Sequence, residues 1–459
     1  MKKSEDVRRS TDHVTSRELN ETVPAFSSCV EILWEEGRGR YGVATRDLLP
    51  GTELLQERPL AAKLKAEHRG EYCDHCLART ALRPVPCRAC SVVYCSRACR
   101  DTAGRTYHRW ECGGTVSQAW DLVNQQFCAG QTRLRLAQVQ LCYRLMVQRD
   151  LDFWRLHQAD LLRGDNQRGS GGRQFPAEDY HSFFSLVSHR ERLGQTVLQP
   201  ILAAVAVMLT CLQVSGYLGQ GEQEEKMMCE LMVETLCIMR HNSHAVVESV
   251  IQGQARPLFN TVRSIAVGLY PSLCLLNTCC DQNITKYFQA GQVVGVVSKL
   301  ILAGEEVSDN YYPSAVITVR EERRDWLAER YMFHCECQAC TANLPTTANM
   351  PNFPVSFVCE ACRRPGLTRL TTACPGCARP FHVETADQKI KMIVNQILAA
   401  ANKYKTSQQA DPVRYYQEMK TLYTELTCLV AHPLAFLVFA EQHFLTAIKQ
   451  LFGSRLITK

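Results

Sequence analysis

Eight soft or borderline metal ligands fall within forty residues of this chain: Cys73, Cys76, Cys87, Cys90, Cys95, Cys99, His108 and Cys112. Their spacing is C-x2-C-x10-C-x2-C-x4-C-x3-C-x8-H-x3-C. Two dithiol pairs, two further cysteines and a terminal H-x3-C satisfy two tetrahedral zinc ions with no ligand left over. A stretch this short and polar cannot bury enough apolar surface to fold alone, so the metal would supply its folding free energy. A disulfide framework is the competing use of these cysteines. The spacing favours zinc.

The rest of the chain supports reduced thiols. It has 459 residues and 24 cysteines, and residues 1–20 are charged, without the apolar core of a signal peptide. Thiolate ligands rather than disulfides follow, in cytoplasm or nucleus. Hydrophobic residues make up 46% of the chain, enough for a globular protein of about three domains. The formal net charge of +6 is small for this length, and no dense Lys/Arg run marks a nucleic-acid tail. The finger's arginines, Arg79, Arg83, Arg88, Arg97, Arg100, Arg105 and Arg109, are spread along it and read as a solvated basic face rather than a DNA-binding surface. Residues 197–218 carry no charge and reach membrane-spanning length, but Gln199, Pro200, Gln213, Ser215 and Gly216 interrupt them. A buried core helix fits better than a membrane span.

Hydrophobic patterning divides the chain into a flexible lead at 1–24, a strand-rich segment at 25–72, the zinc module at 73–112 and a helical stretch at 113–240. Within that stretch, Gly- and Ser-rich residues 163–173 read as a flexible loop, and helical patterning continues to about Val250. Short β segments dominate 241–318, among them Ile284 to Phe288 and Val293 to Val297. A helix from Val319 to Tyr331 leads a cysteine-rich segment at 319–342, followed by 343–383 and about three amphipathic helices over 384–459. Cys128, Cys142, Cys211, Cys237 and Cys428 lie in apolar surroundings and read as core residues.

Two further clusters suggest metal. Cys335, Cys337 and Cys340 supply three ligands where a tetrahedral site needs four, and the nearest candidate for the fourth lies in Asn277 to Asn283. Cys359, Cys362, Cys374 and Cys377 give C-x2-C-x11-C-x2-C, close to zinc-ribbon spacing, with a Pro375-Gly376 turn in the second pair.

The order of these pieces resembles the SET and MYND domain (SMYD) protein-lysine methyltransferases. The first cluster looks like a MYND finger inserted into a SET domain. The stretch GLYPSLCLLNTCCDQN, Gly268 to Asn283, is similar to the family's apolar approach to Asn-His-Ser-Cys-x-Pro-Asn. Gly304-Glu305-Glu306 followed by Tyr311 resembles its Gly-Glu-Glu motif and active-site tyrosine, and Tyr331, Phe333 and C-x-C-x2-C resemble its post-SET segment. The likeness spans about residues 28–342. The cysteine pairs at 359–377 and the Tyr-x-Pro ending at Pro313 look most like the fourth, tetratricopeptide-bearing subfamily. This chain shows no such N-terminal array and would be a shortened relative.

The resemblance implies an α+β fold: a β-rich SET core split by the finger, a helical insertion, a zinc-bound post-SET segment and an α-helical tail. It implies zinc and S-adenosyl-L-methionine as cofactors, and a lysine of a histone or non-histone protein as methyl acceptor. Tyr311 would orient methyl and amine, with Tyr331 and Phe333 walling the lysine channel. Gly39, Arg40, Asn242, Asn277, Thr278 and Tyr331 match cofactor-contact positions, and Cys280 matches the fourth ligand of the post-SET zinc. Thr278 stands where the family has histidine and Gln282 where it has proline. Those departures support a rival reading: a catalytically weak adaptor for transcriptional regulation. In either case the finger would offer proline-rich peptides a shallow groove. The implied chain is a monomer with no membrane or strong nucleic-acid partner.

Overall fold

The computed structural model describes residues 18–80, 83–127, 135–252, 261–311, 314–350, 355–407, 411–431, 435–452 and 454–457. Its architecture is α+β. Strands β1 (Val30–Glu35), β2 (Gly39–Ala44), β3 (Glu53–Glu57) and β4 (Ala61–Leu64) precede the finger, which carries β5 (Val85–Pro86) and β6 (Val93–Tyr94). Helices α1 (Arg97–Arg105) and α2 (His108–Glu111) complete the finger. The helical insertion follows as α3 (Gly114–Phe127), α4 (Leu136–Val147), α5 (Leu151–Arg163), α6 (Tyr180–Phe184), α7 (Gln195–Val214) and α8 (Glu222–Asn242). The chain then returns to strands β7 (Ser243–Gln252), β8 (Thr261–Leu269), β9 (Ile284–Gln289), β10 (Gln292–Val297) and β11 (Glu306–Val307).

Three small sheets carry the core, ordered β1-β2-β11, β3-β10-β9 and β14-β7-β8-β4. Each joins strands from before the finger to strands from after the insertion, except that the third is completed by β14 (Ser454–Ile457). The finger and insertion are therefore a long excursion from a continuous β unit. Gly42 allows this closure, because a Cβ there would sit 2.7 Å from Leu276 of the returning segment.

After the sheets come α9 (Arg320–Tyr331), α10 (Gln338–Thr341), the hairpin β12 (Phe357–Val358) and β13 (Pro365–Leu367), and the tail helices α11 (Val383–Thr406), α12 (Pro412–Thr427) and α13 (Ala435–Phe452). The tail has a core of its own, joined to Tyr287, Val294 and Val296 on the outer face of β9 and β10. Lys299 ties the two parts by ion pairs to Asp281 of the strand region and, at 4.0 Å, to Glu441 of α13.

Three expectations need correction. Residues 18–24 are not a flexible lead: the Asn20 side chain bonds the backbone of Thr22, Val23 and Val30, and Val23 is fully buried. The earlier residues lie outside the described ones. The glycine-rich stretch at 163–173 is held in turns, because half-buried Arg40 takes the carbonyl of Arg168 as a partner and Arg168 pairs with Asp179. Residues 243–250 form strand β7 rather than helix, since the polar-apolar alternation there pairs in antiparallel register with β8.

Among the described residues, α7 alone is long and apolar enough to cross a membrane by length and composition. Here Ile201, Ala204, Val205, Met208 and Leu212 are buried, and α7 packs against α3 and α8. Cys142, Cys211 and Cys237 are buried and Cys428 partly so, whereas Cys128 lies outside the described residues.

Candidate active site and zinc centres

The eight finger ligands separate into two interleaved groups, Cys73, Cys76, Cys95 and Cys99, and Cys87, Cys90, His108 and Cys112. Cys280, Cys335, Cys337 and Cys340 form a third, and Cys359, Cys362, Cys374 and Cys377 a fourth. Ligand contacts run from 3.3 Å (Cys87 Sγ to His108 Nε2) to 3.9 Å (Cys280 Sγ to Cys335 Sγ). Zinc–thiolate bonds of about 2.3 Å at tetrahedral angles require about 3.8 Å between sulfurs, so all four sets fit zinc. In the third, the Cys280 backbone N–H points at Cys337 Sγ (3.4 Å), and buried Arg323 donates to Cys340 Sγ (3.6 Å). These donors would offset the negative charge of a four-thiolate site.

The third group also fixes the aromatic pocket. It fastens the turn at 277–283 to the segment after α9, and Tyr331 ends that helix. The Tyr331 ring lies 4.8 Å from that of Tyr311, with Trp326 at 5.7 Å and His241 at 6.0 Å. The Tyr311 hydroxyl donates to the Leu276 carbonyl (2.9 Å), and burial pushes its pKa well above the usual tyrosine range. Phe333 is 36% exposed and makes no ring contact with either tyrosine. Tyr312 and Pro313 lie outside the described residues.

The cofactor candidates divide by what their side chains already hold. Asn277 accepts the Asp309 N–H with its carbonyl (2.9 Å), while its side-chain amide has no partner among the described residues. Asn242 donates to Val187 and Ile238 carbonyls, both at 2.9 Å, which leaves only its amide oxygen free. Thr278 Oγ1 accepts from the Tyr311 N–H (3.1 Å), so its side chain positions the tyrosine. Gln282 accepts from Asn310 (3.0 Å) and braces the same turn. Arg40 donates to Ser185 Oγ and carbonyl (2.8 Å each) and to the Arg168 carbonyl, and burial lowers its pKa to about 10. Its guanidinium is committed to the insertion. Gly39 has φ +75° and open space where a Cβ would stand, so its backbone is approachable.

Four side chains at this site escaped the sequence reading. His244 on β7 contacts Cys274 Sγ (3.3 Å), and burial lowers its pKa to about 3, leaving it neutral at physiological pH. Lys286 pairs with buried Asp309. Glu57 is buried on β3 and accepts from the backbone N–H groups of Ser272 (2.8 Å) and Leu273 (2.9 Å), which fixes the turn leading to Asn277. Spacing in the chain gives no signal for these, because they come from β3, β7, β9 and the segment after β11, far apart in sequence.

Burial pushes the Glu57 carboxyl up to about 8 from its usual 4.5. A raised folded-state pKa means stability fully present below about pH 4.5 and lost as pH rises through about 8. Urea midpoints of the native chain should therefore fall between pH 5 and pH 8 by the equivalent of about 1–3 kcal/mol relative to Glu57→Gln. Parallel pH curves for the two proteins would contradict this.

The MYND finger family matches residues 73–112. The protein-lysine N-methyltransferase SMYD4 of Pongo abelii is 26% identical over 416 residues, which is 76% of this chain and 50% of that protein. The chain is similar to the SET and MYND proteins. The human SMYD4 gives 26% over 415 residues with the same shares, and the mouse histone-lysine N-methyltransferase SMYD3 gives 26% over 68% of this chain and 61% of its own. The chain spans about half the length of the SMYD4 proteins it matches. A solved SET domain, that of LSMT bound to lysine and AdoHcy, covers 98% of the chain and 90% of its own at 10% identity. Its TM-score of 0.26 is too low for any comparison of site atoms.

Proposed function

We propose that the chain is an S-adenosylmethionine-dependent protein-lysine methyltransferase. The observation that carries this is the tyrosine pair Tyr311 and Tyr331, closed over the turn that presents Asn277 and the Leu276 carbonyl. Asn277 fits the cofactor because its amide has no protein partner among the described residues, and Gly39 fits because its backbone is open. Bound there, S-adenosylmethionine supplies a sulfonium methyl for in-line displacement. Tyr311, fixed through its hydroxyl and its backbone, holds the acceptor end of that line. The surrounding rings exclude water and lower the acceptor amine's pKa, which favours the neutral, nucleophilic form. Neutral His244 adds no cation to repel it.

The substitutions at Thr278 and Gln282 do not argue for the adaptor reading, because both side chains hold the Tyr311 segment in place. Methyl transfer from radiolabelled S-adenosylmethionine to lysine peptides tests the proposal. Tyr311→Phe should lower the rate at least about 100-fold at unchanged zinc content. An unchanged rate would overturn the tyrosine's role. Absence of transfer by the zinc-loaded chain would leave the adaptor.

None of the 23 described cysteines is in a disulfide, which supports a reducing compartment, cytoplasm or nucleus. The MYND finger would dock proline-rich partner peptides, and the chain would act as a monomer.

A further inference from the structure

A groove of about 250 Å³ opens between β9 and α13 and ends at the segment carrying Tyr311. Gln282, Lys286, Asp309, Asn310 and Lys449 line it over an apolar floor that includes Tyr287. Asp309 stands two residues before Tyr311, its N–H on the Asn277 carbonyl and its carbonyl on the Cys279 N–H. Its carboxylate is only 6% exposed and is occupied by the Lys286 ammonium. Gln282 and Asn310 satisfy each other. Lys449 differs from all of these. It is partly buried, burial lowers its pKa, and no carboxylate pairs with it among the described residues. A cation withdrawn from water without a counter-charge is costly, and a bound anion relieves that cost.

We infer that this groove receives the polypeptide flanking the acceptor lysine and selects segments with acidic side chains beside that lysine. The inference rests on the proposed lysine methyl transfer. A substrate carboxylate pairs with Lys449. Complementary charge of this kind sets specificity and register more than raw affinity.

The test uses the zinc-loaded chain and a labelled, capped nonapeptide with a central lysine and two glutamates on each side, against the same peptide with glutamines. Fluorescence anisotropy at low salt should show the glutamate peptide binding at least tenfold tighter. The preference should vanish in Lys449→Gln and reverse in Lys449→Glu when the flanks are arginine. Lys389→Glu, on the surface of α11, should leave it intact and controls for net charge. Circular dichroism confirms that each variant is folded. A glutamate preference that survives in Lys449→Glu, or equal affinity for both peptides, overturns the inference. Methyl transfer is scored separately on the same peptides. A Lys449-dependent preference without transfer supports the groove and removes the catalytic reading, whereas transfer with no preference does the reverse.

Discussion

Arg144→Ala is expected to cost about 3–5 kcal/mol and to loosen the finger from the rest of the chain. Arg144 lies on α4, in the insertion, and is 1% exposed. It donates to both Glu111 oxygens (2.7 and 2.6 Å), to the Asp74 carboxylate (2.6 Å) and to the Ala62 carbonyl (2.8 Å), over the face of Tyr107. Asp74 sits between two ligands of one zinc group, and Glu111 precedes the last ligand of the other. One guanidinium therefore holds both halves of the finger against the core. Burial alone would raise the Glu111 pKa, but Arg144 and Lys63 hold it down at about 2. Truncation leaves two buried carboxylates facing only Lys63, which reaches Glu111 at 3.0 Å and Asp74 at 3.9 Å. Denaturant unfolding of Arg144→Ala beside Arg144→Lys measures the effect. A loss under 1 kcal/mol for alanine would show that the pairs are not a structural clamp.

Zinc removal is expected to have a larger effect. Four thiolate-rich groups predict four zinc ions per chain, and structural zinc in small fingers contributes about 10–16 kcal/mol of apparent binding free energy near neutral pH. Competition with a strong chelator should release the metal in phases and melt the finger. Loss at the Cys280, Cys335, Cys337 and Cys340 group should separate Tyr331 from Tyr311, because that group is what joins their segments. Intrinsic tyrosine and tryptophan fluorescence, with Trp326 at 5.7 Å from Tyr331, reports that separation. Cys340→Ser should reproduce it with the finger still loaded. An unchanged aromatic signal in Cys340→Ser would mean that packing alone holds the pocket.

The contrast between what the sequence shows and what it hides has a physical basis. Metal ligands are readable because few residue types bind zinc and their local spacing is constrained. Cys359, Cys362, Cys374 and Cys377 could be grouped from spacing alone, while Cys280 was placed by its motif and brought to its partners by the fold. Strands Ile284–Gln289 and Gln292–Val297 and helix Arg320–Tyr331 follow from periodicity. Strand β7 does not: its edge alternation adjoins the long helix α8, and only pairing with β8 settles it. Arg40 shows the other limit. Its place beside a glycine turn suggests ligand contact, yet the tertiary fold gives its guanidinium three acceptors on the insertion. Lys449 reaches the groove of Lys286 and Asp309 because α13 packs on β9, a contact that no local pattern encodes.

Titrating S-adenosylmethionine into the zinc-loaded chain by calorimetry tests the central claim most directly, with Asn277→Ala measured in parallel. The account predicts saturable micromolar binding to the native chain and at least a tenfold loss in Asn277→Ala, whose side chain has no partner among the described residues. No detectable heat from a folded protein carrying its full zinc complement would contradict it.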